Sequence, residues 1–256
     1  MVLLSVAFVT VLERKILGYV QIRKGVSKVG FMGYFQSFSD AIKLFSKEMM
    51  KLNLFNYFIY YFSVYMNFFI TSLIVVLFPY MGMLDYFNYG FLFFFCCLSL
   101  NVYSVILMGW SSNSKYSFIG CIRVVAQMIS YEVSLMIFML SLLFMLKSFS
   151  FYDFGKFQKS IWLVFMFFFL FIFLFIIFLI ELNRIPYDFF EGESELISGF
   201  NIEYYSSNFI LLFISEYMSI IYMSLFMSVM FCGSNLYFMG FYMKMMFFIL
   251  IILVIR

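Results

Sequence analysis

Residues 162–205 read WLVFMFFFLFIFLFIIFLI followed by ELNRIPYDFFEGESELISGFNIEYY, and the junction at Glu181 decides the fold class. The first part is apolar throughout and is close to the roughly 20 residues needed to cross a bilayer. The second part carries six of the thirteen acidic residues and one base, Arg184. Such a segment beside a membrane helix repels itself and loses solvation, which favours a role in handling protons or ligands over a stabilising role.

The composition of the whole chain indicates the same class. Of the 256 residues, 66% are hydrophobic and 11% are charged, and the mean hydropathy is +1.05. One soluble domain of this length cannot bury so much apolar surface. The net charge of +3 is small and gives no support for nucleic-acid binding. Histidine is absent and the four cysteines show no CxxC spacing, so zinc, iron-sulfur and haem ligands are not expected in this chain.

Seven apolar runs are candidates for transmembrane helices. They predict an all-α, polytopic integral membrane protein that forms a single membrane domain over residues 1–256. The first run, Val2 to Leu12, is short for a span and lacks the basic segment and cleavage site of a signal peptide. The other six predicted spans are Tyr57–Leu77, Phe91–Trp110, Phe118–Leu146, Trp162–Ile180, Phe209–Phe231 and Leu236–Ile255.

The charges in the loops predict an orientation. The basic loop over residues 13–56 holds eight of the sixteen bases and three acids, so we expect it on the positive, cytoplasm-like side. The acidic loop over residues 181–208 then lies on the same side, and the chain starts on the other side.

Apolar residues recur every three or four positions within the basic loop, which predicts an amphipathic interfacial helix of about four turns. This helix either only anchors the loop or forms a gate beside which a lipid-soluble substrate leaves the bilayer. The apolar residues are Phe35, Phe38, Ile42, Phe45 and Met49.

Four charged residues fall within predicted spans, where each costs roughly 2.5 to 3.5 kcal/mol unless it meets water or a partner. They are Arg123, Glu132, Glu216 and Lys244. Arg123 and Glu132 are nine positions apart and therefore lie on opposite sides of their helix. Lys244 is a candidate partner for Glu132 or Glu216. These residues either form buried ion pairs through which no proton passes or line a polar axis along which protons move.

Five strings of this sequence, in order along nearly the whole chain, resemble one family. It is the family of subunit 1 of mitochondrial NADH:ubiquinone oxidoreductase (respiratory complex I) and of the corresponding membrane subunit of bacterial NADH-quinone oxidoreductase. The long string EGESELISGFN is specific enough by itself that a chance match is a poor explanation. The five strings are ERKILGYVQIRKG (13–25), DAIKLFSKE (40–48), RVVAQMISYEVSL (123–135), residues 181–205 and SEY (215–217).

The resemblance implies a membrane subunit at the heel of complex I that contains no catalytic residue itself. Ubiquinone is the implied substrate, and the flavin and iron-sulfur centres are implied to lie in other chains. The implied partners are the peripheral quinone-reducing module, the proton-pumping membrane arm and membrane lipid. By matching positions, the resemblance implies that the residues around the quinone channel are Arg14, Arg23, Asp40, Arg184 and Asp188. It implies that the residues of the proton-coupling path are Glu132, Glu181, Glu191, Glu193, Glu195 and Glu216.

The sequence also departs from the family pattern. Val26 and Ser27 replace a usual proline and asparagine, and Met49 replaces a proline. The family continues beyond Arg256 through a basic loop and an eighth helix, so we expect either a longer chain or a separate short polypeptide that supplies them. The 42 Phe and 20 Tyr residues suggest a gene with strong A and T bias. With no transit peptide, this favours mitochondrial encoding and the inner membrane, with both charged loops in the matrix.

Two other functions are compatible with the buried charges. A stand-alone proton or cation transporter would use them for alternating access, although such proteins usually have Gly-broken or Pro-broken helices near the midplane. A structural membrane anchor would have no path through it at all.

Overall fold

The computed structural model of the chain describes residues 2–25, 29–48, 55–77, 87–159, 161–189, 203–233 and 239–255. Within these ranges the regular structure is helical, without a β-strand. Numbered in chain order, the helices are α1 Val2–Val20, α2 Gln36–Phe45, α3 Tyr57–Val75, α4 Gly90–Ser111, α5 Lys115–Leu146, α6 Phe151–Phe157, α7 Leu163–Met166, α8 Phe168–Glu181, α9 Ser206–Cys232 and α10 Met239–Val254.

Four of the described helices, α3, α4, α5 and α9, are long and apolar enough to cross a membrane. Helices α8 and α10 are shorter and apolar. Helix α7 extends α8, since only Phe167 separates them. Together with α1, these helices match the seven predicted spans, and the all-α polytopic membrane fold is confirmed. The last six predicted spans begin and end within three residues of the observed helices.

Helix α1 differs from the predicted first span because it continues past Leu12 to Val20. It thereby includes Glu13, Arg14 and Lys15, which the sequence pattern assigned to the basic loop. Each of these charged side chains meets a group on another segment, as described below, so the helix need not end where the apolar run ends.

Helix α2 lies in the basic loop and is shorter than the predicted four turns. It ends at Phe45, where the Ser46 hydroxyl donates to the Lys43 carbonyl at 2.9 Å. A serine side chain that bonds back to the backbone in this way competes with helix continuation. Met49, the last residue of the predicted helix, lies outside the described residues.

Helix α9 is the centre of the bundle. It contacts α1, α2, α3, α6, α7, α8 and α10, and it is buried without interruption from Ile220 to Phe231. A helix that is apolar on every side is stable in lipid as well as among other helices, so the burial shows that other helices surround this part of α9. Because α9 starts just after the acidic loop and runs to the other face of the bundle, its two ends mark two different environments.

The environment at the C-terminal end of α9 is a cluster of phenylalanine rings, which we call the aromatic end. The Phe226 ring lies 3.8 Å from that of Phe94 and 5.0 Å from that of Phe151, between ring centroids. The Phe151 ring is also 4.2 Å from that of Phe91. Gly90 permits this packing, since a Cβ atom there would lie 2.6 Å from a ring carbon of Phe151.

Candidate functional site

The centre of the candidate site is a buried ion pair between the first helix and the segment that follows α8. Nη1 and Nη2 of Arg184 donate to Oε1 and Oε2 of Glu13, each at 3.3 Å. The exposed fractions of the two side chains are 16% for Arg184 and 4% for Glu13. The guanidinium also lies 5.2 Å from the ring centroid of Tyr217 on α9. This two-pronged geometry fixes the orientation of the guanidinium as well as its position.

The backbone around Arg184 is a compact turn. The backbone N–H of Asn183 donates to the Ile180 carbonyl at 3.0 Å, and the backbone N–H of Tyr187 donates to the Arg184 carbonyl at 2.7 Å. Asn183 has a φ angle of 48°, in the left-handed region that asparagine tolerates better than most residues. The turn therefore ends the membrane helix abruptly and directs the arginine toward α1.

A cavity of about 120 Å³ opens beside this turn. It is lined by polar groups from four segments, which is unusual inside an apolar bundle. Its volume is enough for several water molecules. The polar and charged lining residues are Asn67, Thr71, Asn101, Glu181, Asn183, Arg184, Asp188, Ser215, Glu216, Tyr217, Ser219 and Tyr222.

Glu181 is the most enclosed carboxylate in the cavity wall, with 7% of the residue exposed. Its Oε2 atom is buried and accepts no hydrogen bond from any of the described residues. Glu132 lies on α5, which packs against α8.

Neutral polar groups continue the cavity wall across three helices. The Asn67 amide on α3 donates to the Ser215 hydroxyl on α9 at 2.8 Å. The Ser104 hydroxyl on α4 lies 3.4 Å from Oδ1 of Asn67 and 3.3 Å from Oδ1 of Asn101. These side chains hold α3, α4 and α9 in register beside the carboxylates.

The second group of predicted site residues lies where α1 meets α2. Arg14 and Asp40 form an ion pair with a nitrogen-to-oxygen distance of 3.6 Å. The Gln36 amide donates to the Asp40 carboxylate at 2.8 Å, and the Lys15 ammonium lies 3.9 Å from the centroid of the Tyr34 ring. The Arg14 and Asp40 side chains are both about half exposed, so the pair is accessible and solvent screens it.

The helix α2 itself presents an unusual surface. Phe38 contacts Phe8 of α1 with ring centroids 6.0 Å apart, whereas Phe35, Ile42 and Phe45 remain exposed. At 100° per residue, Ile42 and Phe45 lie about 200° and about 140° from Asp40 around the helix axis, so the exposed apolar side chains and the carboxylate that pairs with Arg14 occupy opposite sides of this short helix. A helix with one apolar side and one charged side suits the boundary between lipid and water.

The predicted site residues thus fall into two groups. One contains Arg14 and Asp40, and the other contains Arg184, Asp188, Glu181 and Glu216 around the cavity, with Glu132 on the neighbouring helix α5. Arg23 lies exposed after α1 and forms no ion pair with any of the described residues. Glu191, Glu193 and Glu195 lie outside the described residues.

The predicted pairing of Lys244 with Glu132 or Glu216 is wrong. Lys244 instead donates to the Cys232 carbonyl and lies 4.3 Å from the centroid of the Trp162 ring. The reason is position, because Glu216 and Cys232 are separated by sixteen residues of α9, which is about 24 Å at 1.5 Å per residue. Lys244 therefore belongs to the aromatic end.

Sequence reasoning does not single out Glu13 as a site residue. A carboxylate next to two bases at the end of an apolar run resembles an ordinary loop. Its partner is 171 positions away in the sequence, and no local pattern signals a contact of that separation.

No group of three or more His, Cys, Asp or Glu residues in the described part of the chain could hold a metal ion. The chemistry within reach of the described side chains is ion pairing, hydrogen bonding and proton exchange by carboxylates. The fold and cavity thus define an integral membrane protein with titratable groups enclosed in its helix bundle.

Comparisons with known proteins specify the family. The profile of the NADH dehydrogenase family matches residues 1–256. NADH-ubiquinone oxidoreductase chain 1 of Anopheles gambiae is 49% identical over 255 residues, which cover 100% of this chain and 81% of that protein. The same-named protein of Aedes aegypti is 50% identical, over 95% of this chain and 78% of its own length. That of Papio hamadryas is 44% identical, over 91% and 73%. The chain belongs to the NADH dehydrogenase family, so the resemblance given by the five strings is confirmed.

Proposed function

We propose that this chain is the membrane subunit of NADH:ubiquinone oxidoreductase that forms the ubiquinone entrance channel and part of the path coupling quinone reduction to proton translocation. The family membership and the name shared by its relatives support the enzyme. The observation that carries the finer role is the buried Glu13 and Arg184 pair beside a carboxylate-lined cavity.

The entrance is assigned to the junction of α1 and α2. A quinone with a long isoprenoid tail is dissolved in the bilayer, so its path must begin at an apolar surface and end at a polar one. The exposed apolar side of α2 supplies the first surface, and the Arg14 and Asp40 pair on the opposite side of the same helix supplies the second. Arg23, Arg184 and Asp188 are proposed to extend this polar lining.

The coupling path is assigned to the carboxylates around the cavity. Quinone reduction takes up two protons, so it changes the charge balance at the end of the bundle where Arg184 lies. Glu181 is buried, and Glu132 and Glu216 are half-buried in helices of the bundle, so solvent screens a nearby change of charge less than it would at an exposed site. Glu191, Glu193 and Glu195 are proposed to extend this group on the strength of their positions in the sequence.

Ubiquinone is the proposed substrate, and the flavin and iron-sulfur centres are proposed to lie in other subunits. The proposed partners are the peripheral quinone-reducing module on the side of the acidic loop, the proton-pumping arm within the membrane, and lipid around α2. The proposed location is the mitochondrial inner membrane, with both charged loops in the matrix. The excess of bases in residues 13–56 supports that orientation.

The entrance role is tested by Asp40→Ala in the assembled enzyme. The substitution leaves Arg14 without its carboxylate, so we expect the KM for a long-tailed ubiquinone to rise about threefold or more. NADH oxidation by an artificial acceptor that takes electrons upstream should not change. Equal losses in the two assays would mean misassembly and would contradict the proposal. The matched control is Asp153→Ala, which removes an aspartate of the same kind from the aromatic end.

A further inference from the structure

Gln127 on α5 makes an unusual pair of contacts. The side chain is buried, with 7% of the residue exposed. Its amide nitrogen Nε2 donates to the Ile180 carbonyl at 3.1 Å and to the Tyr187 carbonyl at 3.2 Å. One side chain therefore joins the last turn of α8 to the end of the turn that contains Arg184.

The orientation of this amide follows from its neighbours. Reversing it would place Oε1 against two carbonyl oxygens, which are acceptors themselves, and would remove both hydrogen bonds. Burial makes such an acceptor-acceptor contact more costly than it would be in water. The two carbonyls thus select glutamine, and a carboxylate of the same shape could not replace it.

We infer that Gln127 is a positioning residue for quinone binding: it holds the turn between Glu181 and Asp188 in the shape that presents Arg184 to Glu13. The expected effect on quinone binding rests on the proposed function, whereas the restraint of the turn by Gln127 does not. Without the two bonds, the Gln127 side chain would no longer join the turn to α5, and the backbone hydrogen bonds within the turn are local. Arg184 would then sample positions away from the carboxylate.

The protein contains a matched control. Gln158, between α6 and α7, is also buried, with 4% of the residue exposed. Its Nε2 donates to the Val229 carbonyl at 3.3 Å and to the adjacent Met230 carbonyl. The chemistry is the same as at Gln127, but the carbonyls belong to the aromatic end of α9. Equal substitutions at the two glutamines therefore separate general stability from an effect on the candidate site.

The variants are Gln127→Met, Gln127→Glu and Gln158→Met. Methionine has nearly the size of glutamine but donates no hydrogen bond. Both carbonyls freed at Gln127 keep one bond each, from the amides of Asn183 and Phe189, so the fold should survive. Glutamate keeps the shape but lacks the two N–H donors: an ionised carboxylate would face two acceptors, and a protonated one could donate to only one of the carbonyls, so at least one hydrogen bond is lost.

Two measurements on the assembled enzyme test the inference. In hydrogen exchange, the peptide covering residues 181–189 should exchange about tenfold faster than in the wild type in Gln127→Met, also faster than in the wild type in Gln127→Glu, and at the wild-type rate in Gln158→Met. In steady-state kinetics, the KM for ubiquinone should rise about threefold or more in both Gln127 variants. Their kcat should change less, and the rate with the upstream artificial acceptor should not change.

Unchanged exchange in residues 181–189 of the Gln127 variants would overturn the inference, as would an equal rise of KM in Gln158→Met. Faster exchange with an unchanged KM would also overturn it. The KM of the variant Arg184→Gln then shows which part of the inference is wrong. If Arg184→Gln raises the KM while Gln127→Met does not, the positioning role alone is wrong. If neither does, the assignment of this segment to quinone binding is wrong as well.

Discussion

The two ends of the helix bundle are constructed on different principles. The end that contains Glu13, Arg184 and the cavity is held by charged and polar side chains from α1, α3, α5, α8 and α9. The aromatic end is held by packed phenylalanine rings from α4, α6 and α9 and by hydrogen bonds from Gln158 and Lys244 to carbonyls of α9, and its ion pair between Asp153 and Lys156 is exposed to solvent. Both ends close the same bundle, so stability alone does not require the charges.

The physical chemistry of the two ends supports this view. Buried aromatic rings stabilise a fold through their large apolar area and their packing geometry. A buried ion pair gains little net stability, because the loss of solvation offsets the attraction, and apolar residues of the same volume often serve better. The charges at the first end are thus better explained by function, and the variants below test that difference.

Glu13→Gln should have the largest effect. It leaves the Arg184 guanidinium without its carboxylate in a site of low exposure, which costs about 3 to 5 kcal/mol when a buried pair is broken. We expect less assembled complex on native gels and a lower thermal stability. The double variant Glu13→Gln with Arg184→Gln should recover part of the stability but none of the quinone-dependent rate. A single variant as stable as the wild type would contradict the importance of the pair.

Phe226→Ala should destabilise the bundle by a similar amount without a specific effect on quinone. Removing a fully buried phenylalanine costs about 3 to 5 kcal/mol. The KM for ubiquinone, measured on whatever complex assembles, should equal that of the wild type. A rise of the KM here would show that the two ends are not independent.

Glu132→Gln should have an intermediate effect that concerns coupling. The substitution keeps the size of the side chain and some of its hydrogen bonding but removes a titrating group. Quinone-dependent NADH oxidation and proton pumping should fall together by about fivefold, equivalent to about 1 kcal/mol. The amount of complex and the artificial-acceptor rate should stay near normal. Full pumping in a correctly assembled variant would exclude this residue from the path.

Asp153→Asn should have the smallest effect and tests the aromatic end. The Ser150 hydroxyl hydrogen-bonds to this carboxylate and lowers its pKa, with Lys156 adding to the effect and desolvation opposing it. A lowered pKa gives stability that is present above the ordinary aspartate value of about 3.9 and is lost as the pH falls through the folded value. The difference in thermal midpoint between wild type and variant should therefore be small at pH 7 and vanish in acid. A difference that grows in acid would contradict the assignment.

The membrane fold could be predicted from the sequence because a span is a local property. The runs at Tyr57–Leu77 and Phe91–Trp110 are apolar over the length of a bilayer, and the observed helices α3 and α4 follow them closely. The prediction was less good at α1, where Glu13 interrupts the apolar run. There the helix continues because Arg184, far away in the sequence, removes the cost of burying that carboxylate.

The candidate site was predicted unevenly for the same reason. Resemblance identified Arg14 and Asp40, and these do meet. The expected partner of Glu132 and Glu216 was wrong, because helix periodicity gives the face of a residue but not its depth relative to a neighbouring helix. Gln127 gave no signal at all, since a buried amide in an apolar helix has no distinctive spacing. Contacts between elements come from packing, and one sequence does not encode them in a local pattern.

Photoaffinity labelling tests most directly whether the charged end handles quinone. A long-tailed ubiquinone analogue with a photoreactive head group is bound to the assembled enzyme, activated by light, and mapped by mass spectrometry. We expect labelled peptides from α1 with α2 and from residues 181–189, with the labelling suppressed by excess ubiquinone. Competed labelling at Phe151–Phe157 or Met239–Val254, with none around Arg184, would contradict the proposed channel.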